Sequence, residues 1–543
     1  MRKTFALVLA LVIVVPSVAW ANLSSRTVGE TRFWPIRLLF EENGGSVTWN
    51  SEDNSIHIAI NDGEIVLFAG QRRAYINGEA FSLQDGVRVI QGTSYISDSD
   101  LSLLLTNFLG AIELTFHLTE EARDIVLNDF DFMVELILEN SPWDSVLYRR
   151  LGLVFEEHVA QNRYSIENML PIVITVMDEE LLRESFPIQD GDDPRSIAAN
   201  YLFALLAFEF APPMMGIGHL MPRDLSLYIP LLTGFLRAYN HEGTDSENAP
   251  ILHYFVEAFT HPSVIWFYGE HDVNLDADYY VFPEIPDNIE TEVIVPGEIA
   301  YLRINSFIGN PEFDDRTILP FLQDVQDFDH LIIDIRGNAG GLMSYFNEYV
   351  LRRIISEPIE VGSYEFFSSG DMAYRWMNAY AQTALQLGSL ASWQEQIYTG
   401  VVPATDFIQE RGMEHFNEDD LARLDYVLIS RYAIIPSDDN VGFDGKVWLL
   451  IDGGSQSASS HVAKTALYTG FATVVGENTS GVMASVHSYS ALPSTGILWR
   501  IDLGYVTDAD GRSFEVYGIS PQIQNRPGLD ALETVREVIS ERN

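Results

Sequence analysis

Two runs of almost unbroken apolar residues, His330-Leu-Ile-Ile-Asp-Ile335 and Val447-Trp-Leu-Leu-Ile451, constrain this chain more than any other feature. Neither alternates cleanly between apolar and polar. As strands they must therefore be covered on both faces, which is the condition of central strands in a parallel sheet flanked by helices. Each run leads into a glycine-bearing turn: Asp334-Ile-Arg-Gly-Asn-Ala-Gly-Gly341 after the first, Asp452-Gly-Gly-Ser-Gln-Ser-Ala-Ser-Ser-His461 after the second. A helical stretch from about Ser459 to Tyr468 and a further apolar strand, Ala472-Thr-Val-Val475, follow. That order predicts an α/β layer in the last third of the chain, opened by the strand Ile299-Ala-Tyr-Leu-Arg-Ile304.

The remainder reads as other units, since 543 residues exceed what one core organises. Arg2 and Lys3, an apolar run from Phe5 to Val15, Pro16 and Ala19-Trp20-Ala21 have the form of a secretory signal cleaved after Ala21. The run is short for a membrane span, which argues against an uncleaved anchor. The expected location is secreted or extracellular, at the surface of a bacterial cell. From Thr27 to Leu105 short alternating runs such as Ser55-Ile-His-Ile-Ala-Ile60 are broken by Asn61-Asp-Gly63 and similar turns, predicting a small β-rich domain. From Thr119 to about Asn240 the apolar spacing is helical, and a polar stretch from His241 to Val295 reads as a linker without a Gly-rich carboxylate-binding loop. The segment from Ser363 to Asn440, rich in aromatics, Gln and Glu, is expected to be helical and to form a lid or a wall of a groove.

Composition removes several classes of function. With 32 basic against 78 acidic residues the formal charge is −46, which excludes nucleic acid or an anionic membrane as the main partner. No cysteine is present, so disulfides, thiol nucleophiles and thiolate metal sites are excluded. His57 stands alone in its strand, and no His-Glu-x-x-His or tight Asp/His cluster occurs, so no metal and no cofactor are implied. Only Lys3, Lys446 and Lys464 are lysines.

The chemistry rests on three separated pieces. A Gly-Gly turn after a buried strand lets backbone approach a ligand and presents N–H groups, as an oxyanion site requires. A serine cluster between a strand and a helix lies where free N–H groups favour developing negative charge, although such serines are more often plain caps. Glu515-Val-Tyr-Gly-Ile-Ser-Pro521 contributes a single acid before a turn.

Together, "DHLIIDIRGNAGG", "LLIDGGSQSASSHVAKTALYTGFATVVGENTSG" and "EVYGISP" resemble the C-terminal-processing and tricorn serine peptidases, over residues from about 297 to 530. Residues 27–105 resemble the N-terminal stalk module of copper amine oxidases, which implies a spacer or cell-wall contact here. The first resemblance implies a crotonase/ClpP-like α/β peptidase core (297–543) behind a helical subdomain and linker (119–296), the stalk domain (22–118) and the signal peptide (1–21). It implies hydrolysis of polypeptides through an acyl-enzyme, with Ser457 as nucleophile. Ser455, Ser459 and Ser460 are lesser candidates. The lysine used by the processing branch would fall 25 positions on, at Val482, so a Ser-Lys dyad is absent. The tricorn branch implies His219 in "GIGHLMP" as base and Glu515 as its orienting acid, with His461 and then His487 as rival bases. Backbone N–H groups of Ala458 and of Gly340 or Gly341 would hold the oxyanion. Ile217 and Gly218 depart from the residues the family places before that histidine. They leave open an alternative in which a catalytically inactive surface protein binds peptides in the same groove.

Overall fold

The computed structural model describes residues 26–541 except 29–30, 42–45, 52, 61–62, 91–92, 98–99, 102–103, 105–111, 177–185, 215–219, 224–227, 229–254, 270–283, 388–393 and 484–486. The proposed signal segment and most of the 241–295 linker thus lie outside the described residues. The chain divides into two compact units. One comprises Met1–Leu127, Gln161–Met215 and Asp224–Ser226, the other Asn128–Ala160, Gly216–Arg223 and Leu227–Asn543. The helical segment expected as one subdomain, 119–296, is shared between them.

The first unit opens with an antiparallel meander of five strands, from Ser46–Asn50 to Glu79–Ser82, beside a four-stranded sheet. Alternation places Ile56, Ile58, Ile65 and Leu67 in a core with Trp34, Phe40 and Ile96, while His57 points outward. That histidine is engaged by Ser55 Oγ (2.9 Å) and the Glu64 carboxylate (3.1 Å). The last hairpin turns through Asn77 (φ 49°) and Gly78 (φ 84°), the paired positive φ values that a two-residue hairpin loop needs. No cluster of metal-ligating side chains occurs among the described residues. The apolar run Pro194–Met214 is long enough to cross a membrane by length and composition, but most of it is buried.

The second unit holds the predicted α/β layer as a six-stranded sheet. Ile289–Val295 pairs antiparallel with Ile299–Ile304. His330–Asp334, Lys446–Ile451, Thr473–Gly476 and Ile523–Gln524 then follow in parallel. Successive side chains go to opposite faces. Leu331, Ile333, Leu449, Ile451 and Val474 pack under Val462, Ala463 and Ala466 of the Ala458–Thr469 helix. Ile332, Trp448, Leu450 and Val475 pack on Val535, Val538 and Ile539 of the Ala531–Ser540 helix. Burial on both faces is the reason the strands read as continuous apolar runs.

The segment expected to be helical, 363–440, is part helix and part strand among the described residues. Ile359–Phe367, Gln394–Pro403 and Tyr426–Ile434 form an antiparallel sheet completed by Tyr505–Thr507. Helix occupies Asp371–Leu387, Ala404–Arg411 and Glu418–Leu421. The strands carry the β-branched and aromatic residues that suit a pleated surface, and their fourth partner arrives about 140 residues after the first, beyond the reach of a local pattern.

Candidate active site

Asp334 and Leu450 are register partners on adjacent parallel strands, so the two glycine-bearing turns leave the sheet side by side. The carboxyl edge of parallel strands is where open α/β sheets hold ligands. The turns are tied to each other. Gly337 N–H donates to Asp452 Oδ1 (2.8 Å), Gln456 N–H to the Asn338 carbonyl (3.1 Å), and Ser455 Oγ to the Ile335 carbonyl (2.8 Å). Behind the first turn the buried Asp334 carboxylate receives Arg336 and the Tyr301 hydroxyl (2.8 Å), while Arg336 reaches on to Asp530 (3.0 Å). Arg336 is thus scaffolding.

The four serines of the second turn separate by their hydrogen bonds. Ser455, Ser459 and Ser460 are fully buried. Ser459 Oγ donates to Asn338 Oδ1 (2.8 Å) and Ser460 Oγ to the Gly481 carbonyl (2.8 Å). Ser457 is partly exposed, stands at the N-cap of the Ala458–Thr469 helix and makes no capping bond there. Its backbone has φ 49° and ψ −118°, a conformation side-chain-bearing residues rarely adopt. A serine on such a strained strand-to-helix turn presents its hydroxyl outward, as at a nucleophile elbow. The Ala458 N–H is the first of the helix and has no acceptor within it.

The first turn lies against this one. A Cβ on Gly340 (φ +94°) would stand 2.9 Å from Ser457 Cβ and 2.9 Å from Ala458 N, so only glycine permits the approach. Gly341 (φ +134°) packs on Phe307, where a Cβ would meet backbone at 2.4 Å. Of the two glycine N–H groups offered as alternatives beside Ala458 for the oxyanion, that of Gly340 is already donated to Asn338 Oδ1 (2.8 Å). The Gly341 N–H carries no hydrogen bond among the described residues.

Glu515 lies on the one-turn helix Phe514–Tyr517, capped by Ser513, and is fully buried. Burial pushes its carboxyl up to about 7, opposed by the Met483 N–H bonded to it and by the nearby Arg150 guanidinium. Arg150, in the last turn of the Asp144–Leu151 helix, donates to the Glu515 carbonyl. Gly481-Val-Met483 connects Glu515 and Ser457. The Gly481 carbonyl accepts the Ser457 N–H (3.1 Å), and the Met483 N–H reaches Glu515. Val482 itself has φ 56°. Sequence reasoning missed this bridge and Arg150. The Gly481 backbone was the available signal for the bridge, whereas nothing local marks an arginine 365 residues before its partner.

His219, with Ile217 and Gly218, lies outside the described residues, as does the side chain of His487. The rival base His461 is buried, with Nε2 2.9 Å from the Met483 carbonyl. Burial and the Lys464 charge push its imidazole down to about 3, which makes it a weak base. Lys464 is held at Ser363 Oγ (3.2 Å) beside the Phe514 ring, and burial lowers its amine to about 8. Two helical turns from Ser457, it is not placed to take that proton.

Residues 298–525 match the profile of Peptidase family S41, and residues 23–105 match that of the copper amine oxidase N-terminal domain. No curated protein matches the chain. Among solved structures the chain is similar to mature CPAF complexed with lactacystin, at 12% identity over 77% of this chain and 97% of that one, TM-score 0.37. It is similar to the photosystem II D1 C-terminal processing protease, at 14% identity over 46% and 52%, TM-score 0.28. The tricorn protease gives 14% identity over 45% of this chain and 18% of its own, TM-score 0.24.

Proposed function

Given that the chain is a serine peptidase of the S41, C-terminal-processing family, we propose that it cleaves exported polypeptides through an acyl-enzyme formed on Ser457. In this reading His219 takes the Ser457 proton as Oγ attacks the scissile carbonyl. The N–H groups of Ala458 and Gly341 receive the oxyanion. The tetrahedral adduct collapses as His219 returns the proton to the leaving amine, and water repeats the sequence to release the acid. Glu515 orients the histidine. An imidazolium forming beside it favours the charged carboxylate that burial alone disfavours. The α/β layer is of the crotonase/ClpP-like kind. Removal of residues 1–21 leaves the enzyme outside the cytoplasmic membrane, with the stalk as spacer or wall contact.

One observation carries the assignment of the nucleophile. Ser457 alone among the four serines of its turn is partly exposed and free of a capping bond, at a strained φ against the glycine turn. The test is labelling of the mature protein with a fluorophosphonate, followed by peptide mapping. The label is expected on Ser457 and absent from Ser457→Ala. An unlabelled, folded wild type would favour the silent peptide-binding alternative.

A further inference from the structure

An oxyanion site needs more than glycines near a nucleophile, because each glycine N–H can point into the site or away from it. In this turn one buried side chain makes that choice. Asn338 is fully buried, and its amide is engaged on both sides. Nδ2 donates to the Ile304 carbonyl (3.0 Å) at the end of a core strand. Oδ1 accepts the Gly340 N–H (2.8 Å) and the Ser459 hydroxyl (2.8 Å). Its main chain is fixed as well: N–H to the Ile335 carbonyl (3.2 Å), carbonyl from the Gln456 N–H (3.1 Å).

We infer that Asn338 is the positioning residue of the oxyanion site: it draws the Gly340 N–H inward and so commits the Gly341 and Ala458 N–H groups to the substrate's carbonyl oxygen. The inference rests on the reading of Ser457 as nucleophile. Geometry supports each link. A Gly340 Cβ would stand 2.9 Å from Ala458 N, so the next amide, that of Gly341, begins beside the head of the nucleophile helix. The position of Gly340 is held from its other end by its carbonyl, which accepts the Phe307 N–H (3.0 Å), and Leu342 N–H returns to the Phe307 carbonyl (3.0 Å). With Gly340 pinned at both its N–H and its carbonyl, the peptide plane bearing the Gly341 N–H loses the freedom to flip. The task requires an amide. The Ile304 carbonyl needs a donor and Gly340 an acceptor, and among side chains of this size asparagine offers both. A carboxylate at this place would face the Ile304 carbonyl with a lone pair.

The experiment compares wild type with Asn338→Leu, Asn338→Asp and Ser459→Ala, using a peptide substrate and the aldehyde built on the same sequence, whose hemiacetal oxygen reads the oxyanion site. Circular dichroism checks folding. In Asn338→Leu, kcat is expected to fall roughly 10²–10³-fold, the size of losing one oxyanion donor, with KM within a few-fold and aldehyde affinity weakened in parallel. Asn338→Asp keeps the acceptor and regains the donor only when protonated. Its activity relative to wild type should therefore rise as pH falls, a readout that also serves should the leucine variant fail to fold. Ser459→Ala removes a different partner of the same oxygen and should stay within a few-fold. If wild type binds the aldehyde and both Asn338 variants bind it equally well, this inference alone is overturned. An equal loss in Ser459→Ala would overturn it too, by showing that the amide acts through the helix. If the folded wild type neither turns over nor binds the aldehyde, the peptidase reading falls and takes this inference with it.

Discussion

Glu515→Gln should stabilise the protein while slowing it. Burial raises this carboxyl from its ordinary 4.5 to about 7. Between those two values the folded state binds a proton that the unfolded state releases, so wild-type stability falls as pH rises through this window. The decrease amounts to about 3 kcal/mol in all, and it is complete above about pH 7. Glutamine has no charge to bury and keeps an oxygen for the Met483 N–H. The variant's advantage should grow from under ~1 kcal/mol at pH 4.5 to at most ~3 kcal/mol at pH 8, the ceiling set by whether the new NH₂ finds an acceptor. Urea unfolding followed through the tryptophans of the core, where Trp448 and Trp499 are fully buried, measures it. The difference between variant and wild type matters, because His461 tilts the wild-type curve the other way. Turnover of the same samples should be lower than wild type, since an amide cannot offset an imidazolium. A stability gap that is the same at pH 4.5 and pH 8, or is absent at pH 8, would refute the argument that a buried carboxyl is held here against its solvation preference.

His461→Gln should leave turnover within several-fold. Its folded-state imidazole lies near 3, so wild-type stability is lost as pH falls from about 6.5 toward 3, and the variant's melting temperature should be flatter over that window. His219→Ala should remove most turnover with an unchanged circular dichroism spectrum, and wild-type kcat/KM should rise with an apparent pKa of about 6–7.5; an active His219→Ala enzyme would disprove that base. Gly340→Ala places a Cβ 2.9 Å from Ser457 Cβ and should cost roughly 10²-fold in kcat along with fluorophosphonate labelling. Residues 22–110 isolated as a fragment should melt cooperatively, since the Trp34 to Leu104 core is drawn from them alone, and should take up no stoichiometric copper; tight one-to-one copper binding would overturn the spacer reading.

The central strands and the turns after them are legible in the sequence because those signals are local: a strand buried on two faces is apolar at every position, and a turn packed on its neighbour needs its glycines. The sequence also marks a cluster of four serines, among which the family resemblance implies Ser457 as the proposed nucleophile. Choosing among them by physics rather than by resemblance required the structure, in which three are tied down as scaffolding and Ser457 occupies the cap position without capping. The same holds for the glycine pair, where an asparagine two residues earlier engages one N–H and leaves the other. The helices within 363–440 follow its local pattern, whereas its strands do not show there, because their sheet is completed by Tyr505–Thr507 and a sheet's pairing is invisible to a local window. Glu515 looked like an ordinary loop acid. Its pKa is raised by burial and pulled back by the Met483 N–H and the Arg150 guanidinium, groups far apart in the chain, so its character is a property of the packed protein and of no stretch of sequence within it.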